Sequence, residues 1–163
     1  MSLTESVKTC FRKYFTFSGR ASRSEYWWFT LFAIALGLVA SGLETFINAA
    51  TDTPEGPLIL SGAASLATLF PSLAVTWRRL HDIDRSGLWY PGLMLGIPLG
   101  SGLLLAGIGM LLSQVQGLYV GATLQLITLA LLGICLIILI VWLCKKSQPG
   151  PNKYGPNPHE VTP

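Results

Sequence analysis

The sequence predicts an all-α membrane protein with four transmembrane helices and a short N-terminal interfacial amphipathic helix. Three observations lead there. Charged residues are only 12% of the 163, against 51% hydrophobic. That is about half the roughly 25% charge of a soluble domain, too little to cover a small globule in water. The same composition excludes a disordered chain, which is poor in apolar residues. Second, charge-free stretches run from Tyr26 to Leu43, from Leu58 to Trp77 and from Leu88 to Cys144. A bilayer core of about 30 Å takes about 20 helical residues, so the last stretch is a two-span hairpin. Third, all eleven Lys and Arg lie in three segments, and the two remaining loops have none.

Residues 2–16 form the interfacial helix. Ser2 and Glu5 make a capping box. Val7, Cys10, Phe11, Tyr14 and Phe15 then share one face, with Lys8, Arg12 and Lys13 on the flanks. That pattern suits an anionic headgroup layer or packing on the protein's own loop.

The first span covers 26–47 and opens with the interfacial aromatics Tyr26, Trp27 and Trp28. Ser22 and Glu25 make a second capping box ahead of it. Glu25 then serves as a cap alone, or as a cap that also pairs with an arginine of the middle loop. The second span, 57–77, contains Pro71, which frees a backbone carbonyl and kinks the helix, with Thr68 as the candidate donor to that carbonyl. The third and fourth spans, 88–112 and 118–144, turn at Ser113–Gly117. Pro91 fits the first helical turn; Pro98 predicts a kink. Gly92, Gly96 and Gly100 stand four apart, a spacing for close helix packing within the chain or between copies of it. The tail, 145–163, is too rich in Pro, Gly and Asn for a helix. It is either disordered or a turn-rich arm laid on the middle loop, with Tyr154 as its large anchor. The whole chain reads as a single four-span domain over residues 1–163.

Orientation follows from the basic residues. The N-terminal segment, the middle loop and the tail carry all of them, so both termini are expected in the cytoplasm. The first span is expected to act as an uncleaved signal anchor. Three cysteines give no disulfide framework.

The chemistry-bearing residues gather near that face. Arg20, Arg23 and Glu25 precede the first span, and Arg78, Arg79, His81, Asp82 and Arg85 follow the second. Antiparallel spans bring all eight into one layer, where isolated charges are costly, so Glu25 and Asp82 are expected to accept from arginines. A metal site needs more ligands than one His–Asp pair supplies, and no cysteine pair has ligand spacing. No G-x-S-x-G nucleophile turn is present. No catalytic residue, metal or cofactor is therefore expected. Spans without deep charges argue against a pump or an ion-coupled transporter. The expected partners are anionic membrane lipids and a further copy of the chain, with no nucleic acid. The favoured function is a non-enzymatic membrane protein binding anionic lipid or a partner through the Arg/Glu/His/Asp layer. The alternatives are an oligomeric pore or transporter subunit, and an enzyme acting on a phosphate-bearing lipid with His81 as general base.

Four segments together resemble domain-of-unknown-function family 805, small bacterial inner-membrane proteins. They are Phe17 to Trp27, the run from Pro71 through Arg78-Arg79-Leu80-His81-Asp82, Arg85-Ser86-Gly87 with Trp89, and Gly150 to Pro158. Two positions depart from the family pattern: Asp84 stands where glycine is usual, and Leu88 where tryptophan is usual. The resemblance implies a four-span topology in the bacterial inner membrane and assigns no activity.

Overall fold

A computed structural model describes residues 1–51, 59–112 and 119–160. The elements are α1 (Leu3–Arg12), α2 (Arg23–Ala50), α3 (Ile59–Asp82), the single turn α4 (Trp89–Pro91), a π-helical turn (Gly92–Gly96), α5 (Ile97–Leu112) and α6 (Tyr119–Cys144). Among the described residues, four stretches are long and apolar enough to cross a membrane: Arg23–Ala50, Ile59–Asp82, Trp89–Met110 and Gln125–Cys144. The fold is thus an all-α membrane protein with four spans and a short helix before them. The turn expected at Ser113–Gly117 lies outside the described residues, as do the expected span starts at 57 and 118.

The chain divides into two compact units, Met1–Asp84 with Lys146–Pro163, and Arg85–Lys145. In the first unit, α2 and α3 form a helical pair with α1 packed on both. Ser2 caps α1 with both bonds of the box in place: its hydroxyl accepts from the Glu5 N–H, and its own N–H donates to Glu5. The second box is half made. Ser22 accepts from the Glu25 N–H at 3.2 Å, while the Glu25 carboxylate turns to Arg78.

The aromatic face of α1 packs as its spacing requires. Cys10, Ala21, Phe29 and Val75 form a buried cluster, with Val7, Tyr26 and Phe32 against it. Phe11 stands edge-on to Phe29 at 5.8 Å and Phe32 at 6.1 Å. Just after α1, Tyr14 donates its hydroxyl to the Ala67 carbonyl at 3.1 Å. Ala67 is four residues before Pro71, so this carbonyl is the one the proline leaves without an N–H donor. Thr68, the donor expected from sequence, instead bonds back to Ala64 at 2.8 Å. A threonine hydroxyl in a helix reaches the carbonyl four residues before itself, never its neighbour's.

The second unit is more apolar. Cys135, Leu139 and Leu143 are buried along one face of α6, as is Leu93. Trp89 stands edge-on to Trp142 at 5.6 Å, and the Arg85 guanidinium lies 4.6 Å from the Trp142 ring centre. The π-helical turn falls between Pro91 and Pro98, so helix irregularity appears ahead of Pro98. A Cβ built at Gly92 or Gly100 would meet nothing within 4 Å, and one at Gly96 would touch only the Pro91 carbonyl at 3.9 Å. The approach to a neighbouring helix is at Gly102, where a Cβ would lie 3.9 Å from the Thr128 methyl of α6.

Candidate functional site

The last carbonyls of an α-helix have no partner within the helix and must find one outside it. At the end of α3 two separate segments converge to supply them. Ala21 N–H donates to the Arg78 carbonyl at 3.0 Å, and Gln148 N–H to the Asp82 carbonyl at 3.1 Å. The Asn152 side-chain amide donates to the His81 carbonyl at 2.9 Å. Backbone capping thus draws the segment before α2 and the C-terminal tail onto one helix end. That end carries partial negative charge, which favours the arginines gathered there.

Asp82 is at the centre and is fully buried. One carboxylate oxygen accepts from Arg20 Nε at 2.9 Å and the other from Arg79. Arg20 is then committed on every nitrogen. Its Nη1 donates to the Gly150 carbonyl at 2.7 Å and its Nη2 to the Gln148 carbonyl at 2.6 Å. A second pair lies beside the first: Arg78 Nη1 donates to Glu25 at 2.6 Å. Arg78 is 1% exposed, and its Nε and Nη2 have no hydrogen-bond partner among the described residues. Cys10 Sγ sits 3.9 Å from the same Glu25 oxygen. Burial, and then the Glu25 charge, push the Cys10 thiol up to about 12.

His81 is closed in. Its Nδ1 lies 3.1 Å from the Gly19 carbonyl. A carbonyl only accepts, so Nδ1 carries the proton. The Tyr154 ring stacks flat on the imidazole at 3.7 Å and 3°. The tail holds Tyr154 there with a tight turn, in which Asn152 and Gly155 exchange both backbone hydrogen bonds at 3.0 Å. Gly155 has φ +134° and Gly150 φ +69°, conformations that favour glycine. The tail is therefore the turn-rich arm of the two sequence readings. Glu160 fastens it further by accepting from the Gly150 N–H at 2.8 Å and the Asn157 amide at 3.0 Å, which hold its carboxyl below the ordinary range.

Six of the eight sequence-selected residues come together: Arg20, Glu25, Arg78, Arg79, His81 and Asp82. Arg23 is exposed at the start of α2 and makes no ion pair among the described residues. Arg85 belongs to the second unit. Asp84 adopts φ +58°, the left-handed conformation that glycine takes most easily. Its carboxylate lies 3.6 Å from Lys153. The residues that composition did not reveal are Gln148, Gly150 and Gly19, since they act through backbone carbonyls. Among the described residues no group of three or more His, Cys, Asp or Glu is placed to hold a metal ion.

The family described as protein of unknown function DUF805 matches residues 14–156. Inner membrane protein YhaI of Escherichia coli K12 is 32% identical over 147 residues, covering 90% of this chain and 89% of that protein. Inner membrane protein YhaH of the same strain is 31% identical over 147 residues, covering 90% of each. No solved structure matches the chain.

Proposed function

The chain belongs to the DUF805 family, and on that premise we propose that it is a non-enzymatic, multi-pass inner-membrane protein that binds anionic phospholipid at its cytoplasmic face. Residues matching the family profile extend across the spans and the tail, and both relatives are named inner membrane proteins. The positive-inside distribution of all eleven basic residues supports cytoplasmic termini.

One observation carries the lipid reading: the basic residues at this face divide into two classes. Arg20, Arg78 and Arg79 are buried, each in an ion pair with Asp82 or Glu25. Lys8, Arg12, Arg23 and Lys146 are exposed. They accompany exposed aromatics that suit an interface, Phe11, Phe15, Trp27 and Trp28. The buried set locks the fold, and the exposed set is free to meet phosphate. A catalytic His81 is disfavoured because the residue is only 7% exposed, with Tyr154 stacked on its face, so that Nε2, the ring nitrogen left to act as a base, has little access to a substrate.

The test is native mass spectrometry of the protein released from bilayers of phosphatidylglycerol and phosphatidylcholine. Each basic residue near an anionic surface contributes about 1 kcal/mol. The combined Lys8→Gln, Arg12→Gln and Arg23→Gln variant should lose phosphatidylglycerol retention by roughly tenfold to a hundredfold. Equal retention by this variant and the parent would overturn the reading. The same spectra count subunits, and so report whether the open Gly92 and Gly100 positions accompany association between copies.

A further inference from the structure

A second polar feature stands at the other end of α2 and α3. Glu44 lies about 28 Å along α2 from Glu25 at 1.5 Å per residue, close to the thickness of a bilayer core. It therefore belongs to the opposite headgroup region. Its side chain reaches the first turn of α3, where one carboxylate oxygen accepts from the N–H groups of Leu60 and Ser61, the latter at 3.2 Å. These are orphan donors of a helix start, and Glu44 caps them from the neighbouring helix. The other oxygen, Oε2, meets no donor within hydrogen-bond geometry among the described residues, although Glu44 is only 4% exposed and the Ser61 hydroxyl lies beside its carboxylate. That oxygen belongs to a residue lining a cavity of about 360 Å³ with Ile47, Asn48, Ile59 and Leu60.

We propose that this cavity binds a primary ammonium group, from the headgroup of an aminophospholipid or from a free amine, on Glu44 Oε2. A buried carboxylate oxygen without a donor is unfavourable, and a charged N–H donor corrects this most effectively. Asn48 offers a second polar contact, and the aliphatic walls suit the methylenes beside an amine. The site is a poor one for a divalent metal, which takes six or more oxygen ligands where this cavity presents two polar side chains. The proposal is independent of the anionic-lipid reading, which concerns the other face.

The experiment uses the full chain in two arms. In the first, native mass spectrometry follows the protein released from bilayers of phosphatidylethanolamine, phosphatidylcholine and phosphatidylglycerol. A lipid source predicts enrichment of phosphatidylethanolamine over phosphatidylcholine, whose quaternary ammonium has no N–H. In the second, thermal melting in detergent compares methylammonium with tetramethylammonium chloride. A free-amine source predicts stabilisation by methylammonium alone. Glu44→Gln keeps an acceptor for Leu60 and Ser61 and removes the charge, so it should weaken either effect about tenfold, the weight of a charge-assisted hydrogen bond. Ile59→Trp, which fills the cavity and leaves the carboxylate, should do the same. If Glu44→Gln does not fold, Ile59→Trp and the contrast between the two ammonium salts on the native chain decide the matter. Absence of both the lipid preference and the methylammonium effect in the native chain overturns the proposal. So does an effect that survives both substitutions.

Discussion

Asp82 holds two guanidinium groups with one carboxylate, and all three side chains are at most 1% exposed. Removing it leaves Arg20 and Arg79 charged in a place from which water is excluded. Breaking a buried pair in this way costs about 3–5 kcal/mol. Asp82→Ala should therefore lower the melting midpoint in detergent far more than Asp84→Ala, whose partner Lys153 is 62% exposed. Similar midpoints for the two variants would show that the buried pair adds nothing. Cys10 gives a chemical probe of the same layer. Its pKa of about 12 lies above the ordinary thiol value of 9.0, so the unreactive protonated form persists through neutral pH, and the thiolate appears only as pH rises toward the folded value. Maleimide at pH 8 should leave Cys10 unmodified in the folded protein and label it after unfolding; rapid native labelling would contradict its burial. The pairing of arginines with Glu25 and Asp82 was readable from sequence because both acids sit at the ends of neighbouring antiparallel spans. The acceptors for the outer nitrogens of Arg20 were not readable, since a backbone carbonyl looks the same at every residue.

At the scale of elements, α1 and α3 are joined through a defect in α3. Pro71 deprives Ala67 of a donor, and Tyr14 supplies one from outside the helix. Ala67 lies about 16 Å along α3 from Arg78 at 1.5 Å per residue, so the segment after α1 reaches well below the arginine layer. Sequence periodicity gave the face of α1 correctly but not this depth, because an amphipathic pattern is the same for a helix on lipid and one on protein. Tyr14→Phe keeps the ring contacts with Phe15 and Phe70 and removes the hydroxyl. It should cost about 1–2 kcal/mol, the penalty for a carbonyl left without a donor. Pro71→Ala restores an N–H within the helix. In that background Tyr14→Phe should cost measurably less, a coupling of at least about 0.5 kcal/mol. Strictly additive losses in a double-mutant cycle would mean that Tyr14 does not serve the carbonyl that Pro71 frees.

For the whole molecule, the span count and the identity of each span were legible because length and charge-free runs are one-dimensional properties. The docking of the tail was not, since its glycines and prolines permit an arm or a disordered end equally. Docking also bears on topology. Arg20 bonds to Asp82, which ends α3, and to the Gly150 carbonyl in the tail. Residues in hydrogen-bond contact share one membrane face, so the chain crosses an even number of times from Arg20 to Asp82 and again from Asp82 to Gly150. Two long apolar helices fall in each interval. The N-terminal segment, the loop after α3 and the tail hold all the Lys and Arg of the sequence, and the expectation that these segments are cytoplasmic rests on the retention of basic loops there. A reporter enzyme that is active only outside the cytoplasm should therefore be silent when fused after Pro163 and active when fused after Asp52. Activity at Pro163 would require an odd number of crossings, which is incompatible with the contact between Arg20 and Gly150. Silence at Asp52 would place the loop between the first two spans in the cytoplasm, and α2 and α3 would then not both cross the bilayer.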